Sequence, residues 1–292
     1  MKYKLISSSI VLLYLFNHSA FAQAPISYCD THSGNCQNAV DLMNSQLWNK
    51  VVDTNPPNGE KEAYNSDSRY IQFDNNKSII ITAIKDGDTN HPYTSGRLNT
   101  DGYIGTKQFG RHGLIEAEIS LPTDTGSWPA FWMMPQSDCS AWPTCGENDI
   151  MEWAGTTAWG NNPRAFLSTE HGSDTPNSDY QGKGSGNLVP SNLAATDNLS
   201  NPHYYAMEWN LSPDYKSGTL TFYFDGKVFY TYTLGSDARD TAVLKGFYYG
   251  KGFHPILNLA VGGSLGGDIS HTPNTMTMTV YNIHMYSLKN NS

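Results

Sequence analysis

Apolar and polar residues alternate along most of the chain with a period of two, the spacing of strands whose two faces differ. Alternating or β-rich runs fall at 69–73, 78–83, 114–120, 129–134, 150–153 and 165–169, and again at 204–210, 219–224, 228–232, 255–261 and 276–286. Asp225-Gly226 separates "LTFYF" from "KVFYTY", and an Asp-Gly pair between two such runs predicts a two-residue hairpin. Many strands with turns between them predict an all-β sandwich or jelly roll. No internal repeat or linker divides the chain. The longest irregular stretch, 172–202, is rich in Ser, Asn, Gly and Asp; it reads as a surface excursion at the border of a cleft.

The first residues break this pattern. Lys2 and Lys4 precede an apolar run over 5–16, followed by Ala20-Phe21-Ala22. A basic start, an apolar run too short to span a bilayer and a small-x-small site predict a signal peptide over 1–22. Cleavage after Ala22 leaves one expected domain, 23–292, secreted or periplasmic. Removing two lysines takes the formal charge from −9 to −11. That balance argues against nucleic acid or an anionic surface as partner, since both need clustered Lys and Arg. It leaves a neutral partner open, met by an expected monomer with no membrane contact. Only 15% of residues are charged while 12% are aromatic, a composition that favours strands and turns over helices. Four cysteines in an exported chain suggest disulfides, with three pairings open. The local couples, Cys29 with Cys36 and Cys139 with Cys145, are the favoured ones. No Cys-x-x-Cys or His pair stands nearby to suggest a metal instead.

Candidate chemistry concentrates in "CGENDIMEW", residues 145–153. In a regular strand Glu147 and Asp149 share a face and Glu152 points to the other. One extra residue between Asp149 and Glu152, a β-bulge, brings all three carboxylates to one side. The outer two backbones then stand about 13 Å apart, and inward-leaning side chains can close the gap to the ~5–5.5 Å of a retaining glycosidase. Carboxylates crowded on one face hold a proton near neutral pH, so Glu152 is expected to titrate well above an ordinary Glu. One ionised and one protonated carboxyl is what glycosidic cleavage requires, with Asp149 between the two to pass a proton. A solvated acidic face or a calcium site is the alternative. Against it stand five nearby tryptophans, Trp128, Trp132, Trp142, Trp153 and Trp159. Any one of them alone suits a core; as a set around three acids they suit a groove in which sugars stack on indoles.

With these residues in view, the chain resembles family 16 of the glycoside hydrolases, most nearly its laminarinase, or endo-β-1,3-glucanase, branch. Glu147, Asp149 and Glu152 match the bulged Glu-x-Asp-x-x-Glu signature. "NGEKEAY" (58–64), "YTSGRLNT" (93–100), "FGRHGLIEAEISLP" (109–122), "WPAFWMMP" (128–135) and "PILNLAVGG" (255–263) match further segments in order. The resemblance implies a jelly roll of two stacked antiparallel sheets with a substrate groove across the concave one. It implies Glu147 as nucleophile, Glu152 as acid/base and Asp149 as the residue assisting Glu147. By the same likeness Trp128, Trp132, Asn58, Glu60 and Arg97 line the groove, and His171 reaches the sugar or Glu152. Arg97 also suits a surface ion pair, Asn58 a turn and His171 a structural role. The implied substrate is β-1,3-glucan, with mixed-linkage β-glucan beside it. A galactan such as agarose or carrageenan, or glucan binding without catalysis, are the other readings.

Two positions depart from the family. Asn148 replaces an aliphatic residue that faces between the sheets, where it would need hydrogen-bond partners. Tyr281 stands where the closing strand normally carries an Asp for a structural calcium, and no matching acid lies near the N-terminus. No cofactor is expected to be required, a structural calcium is left as the disfavoured alternative, and the loop between Cys29 and Cys36 is the expected fastening of that end.

Overall fold

A computed structural model describes residues 24–289, apart from 76, 140 and 179–181. The expected signal segment, 1–22, lies outside the described residues. Two sheets face one another. One has ten strands, with Thr275–Leu288 near its middle between Ser78–Ile84 and His112–Ser120. The other has seven, and runs in order Lys183–Gly184, Leu167–His171, Glu147–Glu152, Ser127–Pro135, Phe253–Val261, Arg97–Asn99 and Asn49–Lys50. All eleven runs read from the pattern are strands, with ends shifted by a few residues. Asp225 and Gly226 both take positive φ, 45° and 70°, the twist a two-residue hairpin turn needs, and Phe224 pairs with Lys227 across it.

The core lies between the sheets. Ile115, Ala117 and Ile119 of one sheet and Phe131, Met133 and Leu257 of the other are all fully buried in one cluster. Trp153, expected among the groove indoles, belongs to this core: it is fully buried and its Nε1–H donates to the Asn162 carbonyl at 3.0 Å. Bulges set the phase of two strands. On Thr275–Leu288 the register slips between Val280 and Asn282, so Val280 and Ile283, three apart, both face inward. Tyr281 is the residue left over, 41% exposed. Its phenol is not the carboxylate or carbonyl oxygen that a hard cation prefers, so this position does not fit a calcium ion.

Several elements escaped the pattern. Arg97–Asn99, Tyr93–Ser95, Glu62–Tyr64 and Asn49–Lys50 are too short to show a period. Glu62–Tyr64 and Tyr93–Ser95 pair in parallel, the one exception among the described strand pairs in the two otherwise antiparallel sheets. Gly96 lies between a strand of one sheet and a strand of the other. A Cβ there would meet Ile71 Cγ1 at 2.5 Å, so the crossing tolerates only glycine. The helix Ala238–Tyr248 was also unforeseen, because overall composition disfavours helices. Its start is nevertheless explicit, since the Asp237 side chain caps it by accepting from Asp240 N–H. Among the described residues no helix is long and apolar enough to cross a membrane.

Both expected disulfides are present, Cys29–Cys36 and Cys139–Cys145. The first joins a short helix, Tyr28–Thr31, to the strand Cys36–Asp41, which pairs with the end of Thr275–Leu288. Tyr28 N–H also donates to Glu116 Oε2 at 2.9 Å, so the N-terminal segment is tied to the ten-stranded sheet twice.

Asn148 finds an unusual neighbour. It is fully buried, and its cross-strand partner is Glu170, also fully buried. Among the described residues neither side chain has a hydrogen-bond partner. Burial, with Asp149 and Glu147 adding to it, pushes the Glu170 carboxyl well above the usual range, so it is held neutral. In the unfolded chain that carboxyl ionises above about pH 4.3, so the fold loses stability as pH rises from there toward the folded-state value. Glu170→Gln, which cannot ionise, is expected to stabilise the fold increasingly between about pH 5 and pH 8, by about 1–3 kcal/mol at the upper end, and to raise the thermal midpoint accordingly. Thermal melts across that range check this; a gain that does not grow with pH contradicts a neutral Glu170.

Candidate active site

The acid strand begins where the chain can scarcely bend otherwise. Gly146 takes φ +75°, and a Cβ on it would meet Val243 Cα of the helix Ala238–Tyr248 at 2.6 Å. Cys145, just before it, is clipped to Cys139. From Glu147 the strand pairs with Leu167–His171 and with Ser127–Pro135. Against the first neighbour Asp149 pairs with Thr169 and Glu152 with Leu167, so residues 150 and 151 stand opposite Ser168 alone. Against the second, Asp149 pairs with Trp132 and Met151 with Phe131, two opposite one. The expected bulge is therefore present at Ile150–Met151. Both of those side chains turn into the core, and Glu147, Asp149 and Glu152 share the other face.

That face is the floor of a groove of about 860 Å³. Trp128, Trp132 and Met134, alternate residues of Ser127–Pro135, form one flank with Arg97 and Asn58. Trp142, Trp159, His171 and the glycines 182, 184 and 186 form the other. The excursion 172–202 thus borders the cleft through its glycine-rich part. Of the residues expected to line the groove, Trp128, Trp132, Arg97, Asn58 and His171 do so. Glu60 does not: it is only 8% exposed and accepts from Tyr64 Oη–H at 2.9 Å behind the groove wall. The family likeness brings Glu60 close, but the strand it precedes turns it inward. Arg97 makes no ion pair among the described residues. Its guanidinium lies over the Trp132 ring, 4.9 Å from the centroid.

Each outer glutamate receives an indole donor. Trp128 Nε1–H donates to Glu152 Oε1 at 2.9 Å, and Trp142 Nε1–H donates to Glu147 Oε2 at 2.7 Å. His171 Nε2 stands 3.1 Å from Asp149 Oδ2. Glu147, Asp149 and His171 each place one ligand-type atom within 4.8 Å of the others. Burial and then the Asp149 charge push the Glu147 carboxyl up, while burial and then Glu152 push Asp149 up. These two hold a proton between them. Glu152 is pushed up to about 7, mainly by burial, with the Trp128 hydrogen bond pulling the other way. Desolvation is thus the larger cause of its shift, ahead of the neighbouring charge expected from the sequence. Asn258, whose Oδ1 accepts from Trp132 Nε1–H at 2.7 Å, had no signal of its own inside the apolar "ILNLAV".

Three acids gathered on the floor of an indole-lined groove are the arrangement a glycoside hydrolase needs. The comparisons with known proteins agree. Residues 58–279 match the profile of the Glycosyl hydrolases family 16, and the chain belongs to that family. It is 31% identical over 229 residues to a glucan endo-1,3-beta-glucosidase of Cryptopygus antarcticus, covering 75% of this chain and 76% of that protein. It is 33% identical over 192 residues to a beta-glucanase of Rhodothermus marinus, covering 65% of this chain and 60% of that protein. The catalytic domain of an endo-1,3-beta-glucanase (laminarinase) from Thermotoga petrophila RKU-1 has the same fold. The two superpose with a TM-score of 0.65 at 26% identity, over 87% of this chain and 98% of that one.

The Glu152 environment makes a kinetic prediction. A general acid must be protonated to act, so kcat/KM is expected to fall as pH rises through about 7. Trp128→Phe removes the hydrogen bond that favours the Glu152 anion and is expected to move this basic limb upward. A pH–rate profile of both proteins checks it; an unmoved limb contradicts the assignment.

Proposed function

We propose that this protein is an endo-acting hydrolase of β-1,3-glucan that retains anomeric configuration. The observation that carries the reading is the bulge at Ile150–Met151, which puts Glu147 and Glu152 on one groove face with Asp149 between them. The groove's only lining cation other than His171 is Arg97, which is engaged over Trp132, among the described residues. That favours a neutral polymer over a sulfated one, whose sulfates need Arg and Lys.

Protonated Glu152 gives its proton to the glycosidic oxygen as the Glu147 carboxylate attacks the anomeric carbon. For Glu147 to attack, its proton must pass to Asp149; the Trp142 donor favours that by stabilising the Glu147 anion, while His171 beside Asp149 opposes it. The leaving chain departs and a glycosyl–Glu147 ester remains. Glu152, now ionised, takes a proton from water, which attacks the ester and releases the sugar with its β configuration. Exported location, a monomeric state and independence of any cofactor complete the proposal.

Reducing-end release from laminarin, set beside mixed-linkage glucan, agarose and carrageenan, tests the substrate. Laminarin is expected to be cleaved fastest, with the β-anomer as first product by NMR. An α-anomer first product, or no cleavage of laminarin, sinks the reading. Glu147→Ala is expected to lower kcat on the order of 10⁴-fold or more, because the covalent intermediate can no longer form.

A further inference from the structure

Trp132 is held from behind by residues that substrate never meets. An indole N–H can only donate, so Asn258 must turn its Oδ1 to Trp132. Its amide then faces Tyr64, and Nδ2–H donates to Tyr64 Oη at 3.1 Å. Having accepted there, the phenol donates onward to Glu60 Oε2 at 2.9 Å. The chain runs in one direction, from a group that only donates to a carboxylate that only accepts. Each member can be oriented in only one way. Burial and the nearby Glu62 and Glu60 keep Tyr64 a phenol, hence a donor. Glu62, fully buried, is itself pushed well up by burial and then by Glu60.

A second contact acts on the same ring. The Arg97 guanidinium lies 4.9 Å from the Trp132 centroid and 5.9 Å from that of Tyr64. It therefore covers one side of the indole and spans the two rings. Tyr64 is 1% exposed and belongs to the ten-stranded sheet, whereas Trp132, Asn258 and Arg97 belong to the seven-stranded one. The hydrogen-bond chain thus references the groove's stacking surface to the opposite sheet.

We propose that Tyr64 is a positioning residue for substrate: through Asn258 and Arg97 it fixes the plane of Trp132, and so selects the sugar orientation that this flank of the groove accepts. The role rests on the groove's being the glucan site. It concerns binding rather than bond cleavage, because among the described residues the Tyr64 hydroxyl bonds to Glu60 and Asn258 and to none of Glu147, Asp149 or Glu152.

The test is a double-mutant cycle of Tyr64→Phe and Trp132→Phe, with kcat and KM on laminarin oligosaccharides. Tyr64→Phe keeps the ring beneath Arg97 and deletes only the hydroxyl. It is expected to raise KM about five- to tenfold, the worth of one buried hydrogen bond, with kcat within about twofold. In the double variant KM is expected to equal that of Trp132→Phe alone, since a fixed platform matters only when present. An unchanged KM in Tyr64→Phe, or effects that multiply in the double variant, overturns the proposal. Should the wild type cleave no β-glucan, the substrate reading fails separately. The indole N–H resonance of Trp132, assigned by its loss in Trp132→Phe, then decides. A shift in Tyr64→Phe supports positioning; an unmoved resonance overturns it.

Discussion

A strand has room for acids on one face only at every second residue, and this chain needs them at 147, 149 and 152. The extra residue at Ile150–Met151 reconciles the two. It turns two consecutive apolar side chains into the core and returns Glu152 to the side of Glu147. Without it, Glu152 would enter the layer that holds Phe131 and Met133 and would have to be neutralised there. The register on both sides, the glycine at 146 and the helix packed on it all serve to keep that slip at one place. Regular pairing resumes beyond it.

Around the acids, low polarity and donors work against one another in a productive way. Burial raises all three carboxyls, which suits the acid and handicaps the nucleophile. The Trp142 N–H offsets that handicap at Glu147 while remaining aromatic surface, and the Trp128 N–H limits the rise at Glu152. One side chain type supplies both the apolar wall and the hydrogen bond. This explains why tryptophan recurs here rather than phenylalanine with a separate polar residue. Behind the acid strand the logic differs: Asn148 and Glu170 occupy paired core positions with no charge to balance them, and their neutrality is what makes them tolerable.

Much of this was legible in the sequence because it rests on local periodicity. The eleven long strands, the hairpin at Asp225-Gly226 and the phase error at Glu152 are all patterns within ten residues. The three-residue gap has physical meaning once alternation is assumed. What could not be read depends on distant partners. Glu60 looks like a groove residue until Tyr64 claims it, and Asn258 looks like a polar interruption in an apolar strand until Trp132 is placed beside it. Glu170 sits next to His171 in sequence yet on the other face, and only its pairing with Asn148 gives it meaning. The helix Ala238–Tyr248 was hidden by averaging, since composition over the whole chain says little about eleven residues with their own cap.

The indole that serves Glu147 lies within the short loop closed by Cys139 and Cys145. Trp142 is 38% exposed, and it is held by its bond to Glu147 and a ring contact with His171 as well as by the clipped loop. The covalent clip therefore does more than fasten a loop. A covalent bond remote from the reacting atoms thus limits how far the Glu147 hydrogen-bond donor can move.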